Sequence, residues 1–156
     1  NKYYDYKPKV VEEIFSKIKQ NFINNDYQLI FIPSMRTPKN VIDKAKNYFD
    51  DHQIIITEID KKAYWSSLGL ADHIVVTCDS TSMISEAAIT GKPIYVAHMP
   101  HIKNNYRFKK FFEMFKNLNI TKDLGDNLEV WKYEKLNETD RISGYIKSKL
   151  KKYDIS

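Results

Sequence analysis

At 156 residues, with 42% hydrophobic and 29% charged residues, the chain is long enough for one domain with a real core. No apolar run reaches the ~18 residues of a membrane-crossing helix, and the polar opening NKYYDYKPKV lacks a signal-peptide core. The net charge of +5 accompanies a broad richness in Lys, Asn, Ile and Tyr, without an interleaved basic and aromatic ladder, so nucleic acid is not the expected partner.

Residues 1–7 read as loop, and the start at Asn rather than Met leads us to expect a piece of a longer protein. From Pro8 to about Asn24 the pattern is helical, with Val11, Ile14, Phe15, Ile18 and Phe22 on one stripe. Pro8 suits a first turn, where its missing N–H costs nothing. After Asn24-Asn25-Asp26, Tyr27–Ile32 is expected as a buried strand. Pro33-Ser34-Met35-Arg36-Thr37-Pro38 then opens a helix running to about Asp50, with Thr37 as its N-cap and Pro38 as its first residue. Arg36 therefore stands at a helix N-terminus on the carboxyl edge of the sheet, where a guanidinium can fork two phosphate oxygens. An exposed arginine paired with a neighbouring carboxylate satisfies the same spacing.

Gln53–Thr57 is the next short strand, and Lys61–Gly69 a loop or short helix. Its Tyr64 and Trp65 suit a nucleobase pocket, although packing a helix onto a sheet is the commoner use of such a pair. His73–Thr77 is a β-branched run typical of a strand covered on both faces. The polar group Cys78-Asp79-Ser80-Thr81-Ser82 follows and leads into a helix from about Ser82 to Thr90. Gly91 ends it in a left-handed turn, and Pro93 starts the return strand Ile94–Ala97.

In this β-α-β unit the hydroxyls of Ser80, Thr81 and Ser82 fall where open α/β sheets bind ligands, at the carboxyl end of a strand. The free N–H groups of a helix start favour phosphate there. Glu86 lies four residues after Ser82, one turn in and on the same face, placed as an acceptor for ribose hydroxyls. The plain alternative is a hydroxyl-rich cap with Glu86 as a solvated charge. Cys78, the chain's one cysteine, excludes an internal disulfide and suits a reducing compartment; at the end of a buried strand it reads as core.

His98-Met99-Pro100-His101 lacks the acidic or Cys partners of a metal site, so no metal is expected. His98 is kept as a candidate acid, base or substrate contact. Asn105 to about Leu118 reads as a helix with Phe108, Phe111, Phe112 and Phe115 facing the core. Residues 119–136 look irregular, and a last helix capped by Asn137 runs to about Lys152. Its Lys147, Lys149, Lys151 and Lys152 suit weak peripheral contact with anionic lipid at the inner membrane of an otherwise cytoplasmic protein. The order of elements is that of a single α/β domain, a Rossmann-like doubly wound parallel sheet of about four strands.

Three stretches carry a resemblance: SMRTP at 34–38, ADHIVVTCDSTSMISEAAITGKPIYV at 71–96 and LNETDR at 136–141. Together they resemble the family named for the plant mitochondrial fission protein "elongated mitochondria", which has many bacterial members. That family looks like GT-B glycosyltransferases, two Rossmann-like halves of which the C-terminal one holds a nucleotide-sugar. The chain is similar to that C-terminal half. The resemblance implies that Ser80, Thr81 and Ser82 face the donor diphosphate, that Glu86 binds ribose, and that Arg36 falls where such enzymes often place a cationic residue; Thr37 and Asp79 join them as candidate phosphate-binding residues, with Tyr64 and His98 as candidate base or substrate contacts. It implies a UDP-sugar or similar donor as substrate, no separate cofactor, and an N-terminal half of the same protein as structural partner. It also implies metal-independent transfer whose base comes from that other half. The alternative it allows is a non-catalytic protein that recruits a partner at a membrane.

Overall fold

A computed structural model describes residues 3–135, together with Ser148. The expected last helix, its cap Asn137 and the lysines from Lys147 to Lys152 lie outside the described residues. Within residues 3–135 ten elements alternate: α1 (Pro8–Asn21), β1 (Ile30–Phe31), α2 (Lys39–Tyr48), β2 (Ile54–Ile55), α3 (Lys61–Leu70), β3 (Ile74–Thr77), α4 (Thr81–Ala87), β4 (Ile94–Ala97), α5 (Tyr106–Asn117) and β5 (Thr121–Asp123). Single 3-10 turns follow α1 and α4, at Ile23–Asn25 and Ala88–Thr90.

The described strands pair in parallel, in two hydrogen-bonded groups, β1-β2 and β3-β4-β5. Strand β4 shows why this is a layered α/β fold. Its four residues are all buried, but they alternate between two cores. Ile94 and Val96 join Ile84, Phe111, Phe115 and Ile120 on one face. Tyr95 and Ala97 join Val11, Phe15, Val41 and Leu124 on the other. A period of two with both sides apolar is what helices on both faces of a parallel sheet require. The Rossmann-like α/β reading therefore stands.

Helix α1 forms as its stripe predicts, burying Val11, Phe15 and Ile18 at spacings of four and three. Two helix starts differ from expectation. Pro38, not Thr37, occupies the N-cap of α2, because Thr37 spends its hydroxyl on closing the preceding turn. Asp60 caps α3 by accepting from the Ala63 N–H at 3.0 Å, which makes Lys61–Leu70 a full helix.

Among the described residues there are five strands in these two groups, one more than the four expected. β5 is a three-residue strand, Thr121-Lys122-Asp123, at the edge of its group among the described residues and within the stretch read as irregular. An edge strand exposes its outer side, so two of its three residues are polar chains that carry no strand signal.

Gly91 ends the α4 segment at φ 73°. A Cβ there would meet the Lys135 side chain at 2.7 Å, in a backbone region that favours glycine. Gly91→Ala is expected to cost about 1 kcal/mol or more, read as a lowered urea midpoint. An unchanged midpoint would show that this turn relaxes freely.

Candidate functional site

Two loops at the carboxyl edge build the site. The first follows β1. Its Ser34 N–H donates to Thr37 Oγ1 at 2.9 Å, and the Thr37 N–H donates back to the Ser34 carbonyl at 3.0 Å. Ser34 Oγ also accepts from the Arg36 N–H at 3.2 Å. This reciprocal closure makes Ser34–Thr37 a fixed turn with Arg36 at its tip. The second loop is Cys78-Asp79-Ser80, which joins β3 to α4. Arg36 reaches across 43 residues of sequence and donates a guanidinium hydrogen bond to the Asp79 carbonyl. The candidates from the two loops are thus brought together.

Asp79 is buried, and its Oδ2 accepts from the Tyr6 phenol at 2.7 Å. Burial first, then the neighbouring Asp79 carboxylate, holds the Tyr6 phenol above its ordinary range, so Tyr6 stays a donor. Ser80 and Thr81 are buried and Ser82 is exposed. Ser80 makes no side-chain cap bond, and its carbonyl accepts the first helical bond from the Ile84 N–H at 3.0 Å. Ser82 and Glu86 share a face of α4, as the spacing of four requires.

Glu86 is half-buried and held from α3: the Tyr64 phenol donates to its Oε2 at 2.5 Å. Burial, then Glu86, raises the Tyr64 phenol above its usual range and keeps it protonated. The proposed ribose acceptor and the proposed base contact are therefore partners of each other. Tyr64 also lines a cavity with Ser34, Thr37, Ser80 and Tyr6.

His98 sits elsewhere, on the β5 side of β4. Its Nε2 lies 2.8 Å from Asp123 Oδ1, its ring meets the Phe112 ring edge-on, and Lys116 holds the other Asp123 oxygen at 2.7 Å. Burial opposes the Asp123 charge, but the hydrogen bonds from Lys116 and His98 outweigh it and keep the carboxyl below its ordinary range. A depressed carboxyl stabilises the fold above its unfolded pKa, and the benefit is lost as pH falls through the folded value. Unfolding in urea should therefore show a modest loss of stability as pH falls below about 5, and Asp123→Asn should abolish it. Equal slopes in both proteins would remove this cluster from the account.

Cys78 is fully buried, accepts from the Met99 N–H at 3.3 Å, and is pushed up to about 12, chiefly by burial. It is a core residue, as read from the sequence. Among the described residues no group of three or more His, Cys, Asp or Glu is placed to hold a metal, and no helix is long and apolar enough to cross a membrane. Sequence reasoning missed Tyr6. A lone tyrosine in a loop has no periodicity, and its partner Asp79 is 73 positions away.

The turn at 34–38 and the unit at 71–96 are thus one structural neighbourhood, and the sequence profile described as Mitochondrial fission ELM1 matches residues 1–150. The chain belongs to the mitochondrial fission ELM1 family. Within the ELM1 family, "Uncharacterized protein RP120" of Rickettsia prowazekii (strain Madrid E) is 32% identical over 146 residues, 88% of this chain and 41% of that protein. "Mitochondrial fission protein ELM1" of Arabidopsis thaliana is 34% identical over 90 residues, 56% of this chain and 21% of that protein. The chain therefore spans well under half the length of these relatives. No solved structure matches it.

Proposed function

We propose that this ELM1-family chain is the nucleotide-sugar-binding part of a GT-B-type glycosyltransferase, holding the donor through its nucleoside diphosphate. The observation that carries this reading is the Arg36 bond to the Asp79 carbonyl, which joins a cationic turn to the hydroxyl-rich entry of α4. A guanidinium presents its donors in a planar fork matched to phosphate oxygens, so a turn that carries one at this edge suits a diphosphate. Ser82 and the first N–H groups of α4 add donors on the same edge. Glu86, oriented by Tyr64, accepts from the ribose hydroxyls.

During transfer, negative charge grows on the leaving diphosphate. Arg36 stabilises that charge more than it stabilises the intact donor, which lowers the barrier. The acceptor's base belongs to the protein's other half, so this chain by itself binds and does not turn over.

Comparing a nucleoside diphosphate with pyrophosphate tests the assignment of Glu86, since pyrophosphate has no ribose. In the full-length polypeptide, Glu86→Ala should weaken nucleoside diphosphate binding by about tenfold and leave pyrophosphate binding unchanged. Tyr64→Phe should give a smaller loss of the same kind. Equal losses for both ligands would remove the ribose role from Glu86.

The name of the Arabidopsis relative favours a second reading, in which the chain recruits a partner at a membrane surface. That reading requires lipid or partner binding that ignores Arg36 and Glu86 and fails when Lys149, Lys151 and Lys152 are reversed in charge.

A further inference from the structure

A cavity of about 500 Å³ separates β1 from β3. Among the described residues each of these strands pairs on one side only, β1 with β2 and β3 with β4. The bonding pattern shows which backbone groups turn toward the gap. The Ile54 and Ile56 N–H groups donate to the Leu29 and Phe31 carbonyls at 2.9 and 3.0 Å, so Ile30 and Ile32 turn away from β2. The Ile74 and Cys78 N–H groups donate to the Pro93 and Ala97 carbonyls at 2.9 and 3.1 Å, so Val75 and Thr77 turn away from β4. These four residues line the cavity, and among the described residues no ladder joins β1 to β3.

Helices close the other two sides. Val11, Phe15 and Ile18 of α1 form one wall, and Leu68 and Met83 the opposite one. An empty slot of this size is foreign to packed interiors, which hold few voids larger than a water. Ile30, Ile32, Val75 and Thr77 are half-buried, and backbone groups so shielded from water favour partners, as the Thr77 carbonyl finds one in the Ser80 N–H at 3.1 Å. The occupant must be flat, apolar on both faces, and supplied with donors and acceptors along both edges. An extended polypeptide meets all three demands.

We propose that the slot receives a β-strand, parallel to β1 and β3, from the full-length polypeptide on the N-terminal side of α1. Three contacts point to that source. The Asp5 N–H donates to the Pro100 carbonyl at 3.0 Å, the Ile102 N–H to the Tyr3 carbonyl at 2.7 Å, and the Tyr6 phenol to Asp79. They lay Tyr3–Lys7 along the carboxyl edge, where a parallel strand in the slot would deliver the chain. Helix α1 then becomes the crossover from that strand to β1, as α2 is from β1 to β2. Relatives carry polypeptide beyond the match, which covers 41% of the Rickettsia protein. The inserted strand fuses the two hydrogen-bonded groups into one continuous sheet. Its carboxyl end adjoins Ser34, Thr37 and Ser80 at the mouth of the slot.

Amide hydrogen exchange on the full-length polypeptide and on the 156-residue chain tests this. The amides of Ile30, Ile32, Val75 and Thr77 should exchange at least 100-fold more slowly in the longer protein. Equal exchange in the two overturns the proposal. Protection in the 156-residue chain that vanishes on cutting after Lys135 assigns the slot to the C-terminal segment and overturns it. Protection that grows with protein concentration assigns it to a second copy, and an apolar compound extracted from the purified protein assigns it to a ligand; both overturn it. Should the 156-residue chain prove unfolded alone, the full-length arm decides, fast exchange at these four amides overturning the proposal and slow exchange supporting it.

Discussion

Arg36→Ala in the full-length polypeptide is expected to weaken nucleoside diphosphate binding by about 100-fold while leaving the fold intact. Hydrogen bonds to charged groups contribute about 1.5–3 kcal/mol each, and each 1.4 kcal/mol is tenfold in affinity, so losing a two-bond fork accounts for that loss. The cost to stability should be about 1–3 kcal/mol, because Arg36 adds nothing to the hydrophobic clusters but its loss takes this donor from the carbonyl of the buried Asp79. Arg36→Lys should recover part of the affinity, since it keeps the charge and loses the planar fork. Paired calorimetric titration and urea unfolding separate the two effects. A variant that binds normally would remove Arg36 from the site, and one that unfolds would make it structural.

The largest effect on stability is expected from Phe115→Ala. Phe115 is fully buried, with its ring centroid 4.4 Å from that of Phe111, in the cluster that also holds Ile84, Ile94 and Ile120. Truncating a buried phenylalanine costs about 3–5 kcal/mol, from lost transfer energy and the cavity left behind. Domains of this size are stable by about 5–15 kcal/mol, so the variant should unfold at much lower urea. Phe112, half-buried on the same helix, should cost distinctly less when truncated. A smaller loss at Phe115 than at Phe112 would contradict the packing described for α5.

Regular, local features were legible in the sequence. The stripe of α1, the aromatic face of α5 and the strand-turn-helix of residues 74–87 each follow from spacing and capping within a few residues. The left-handed Gly91 was legible for the same reason. Long-range matters were not. Nothing near Tyr6 or Asp79 announces that they pair, and nothing near Tyr64 shows that it holds Glu86. Thr37 misled because its hydroxyl serves either a helix cap or a turn, and Ser34 decides between them. Strand β5 escaped notice because Lys122 and Asp123 use their side chains on the surface while their backbone completes the ladder with β4.

At the site, sequence placed Arg36, Ser80, Thr81, Ser82 and Glu86 on the carboxyl edge from local rules alone. The structure adds that the Arg36 turn bonds the Asp79 loop and that Glu86 is gripped from α3. His98 was an inference from chain position. Its side chain lies beside Asp123 and Phe112, on the β5 side of β4 and apart from the two loops.

The central claim is that these loops hold a nucleoside diphosphate. Calorimetric titration of the full-length polypeptide with UDP, UDP-N-acetylglucosamine and the other nucleoside diphosphates tests it most directly. The account predicts saturable heat selective for one base and lost in Arg36→Ala. The absence of heat with every one of these ligands, from folded protein, would contradict it.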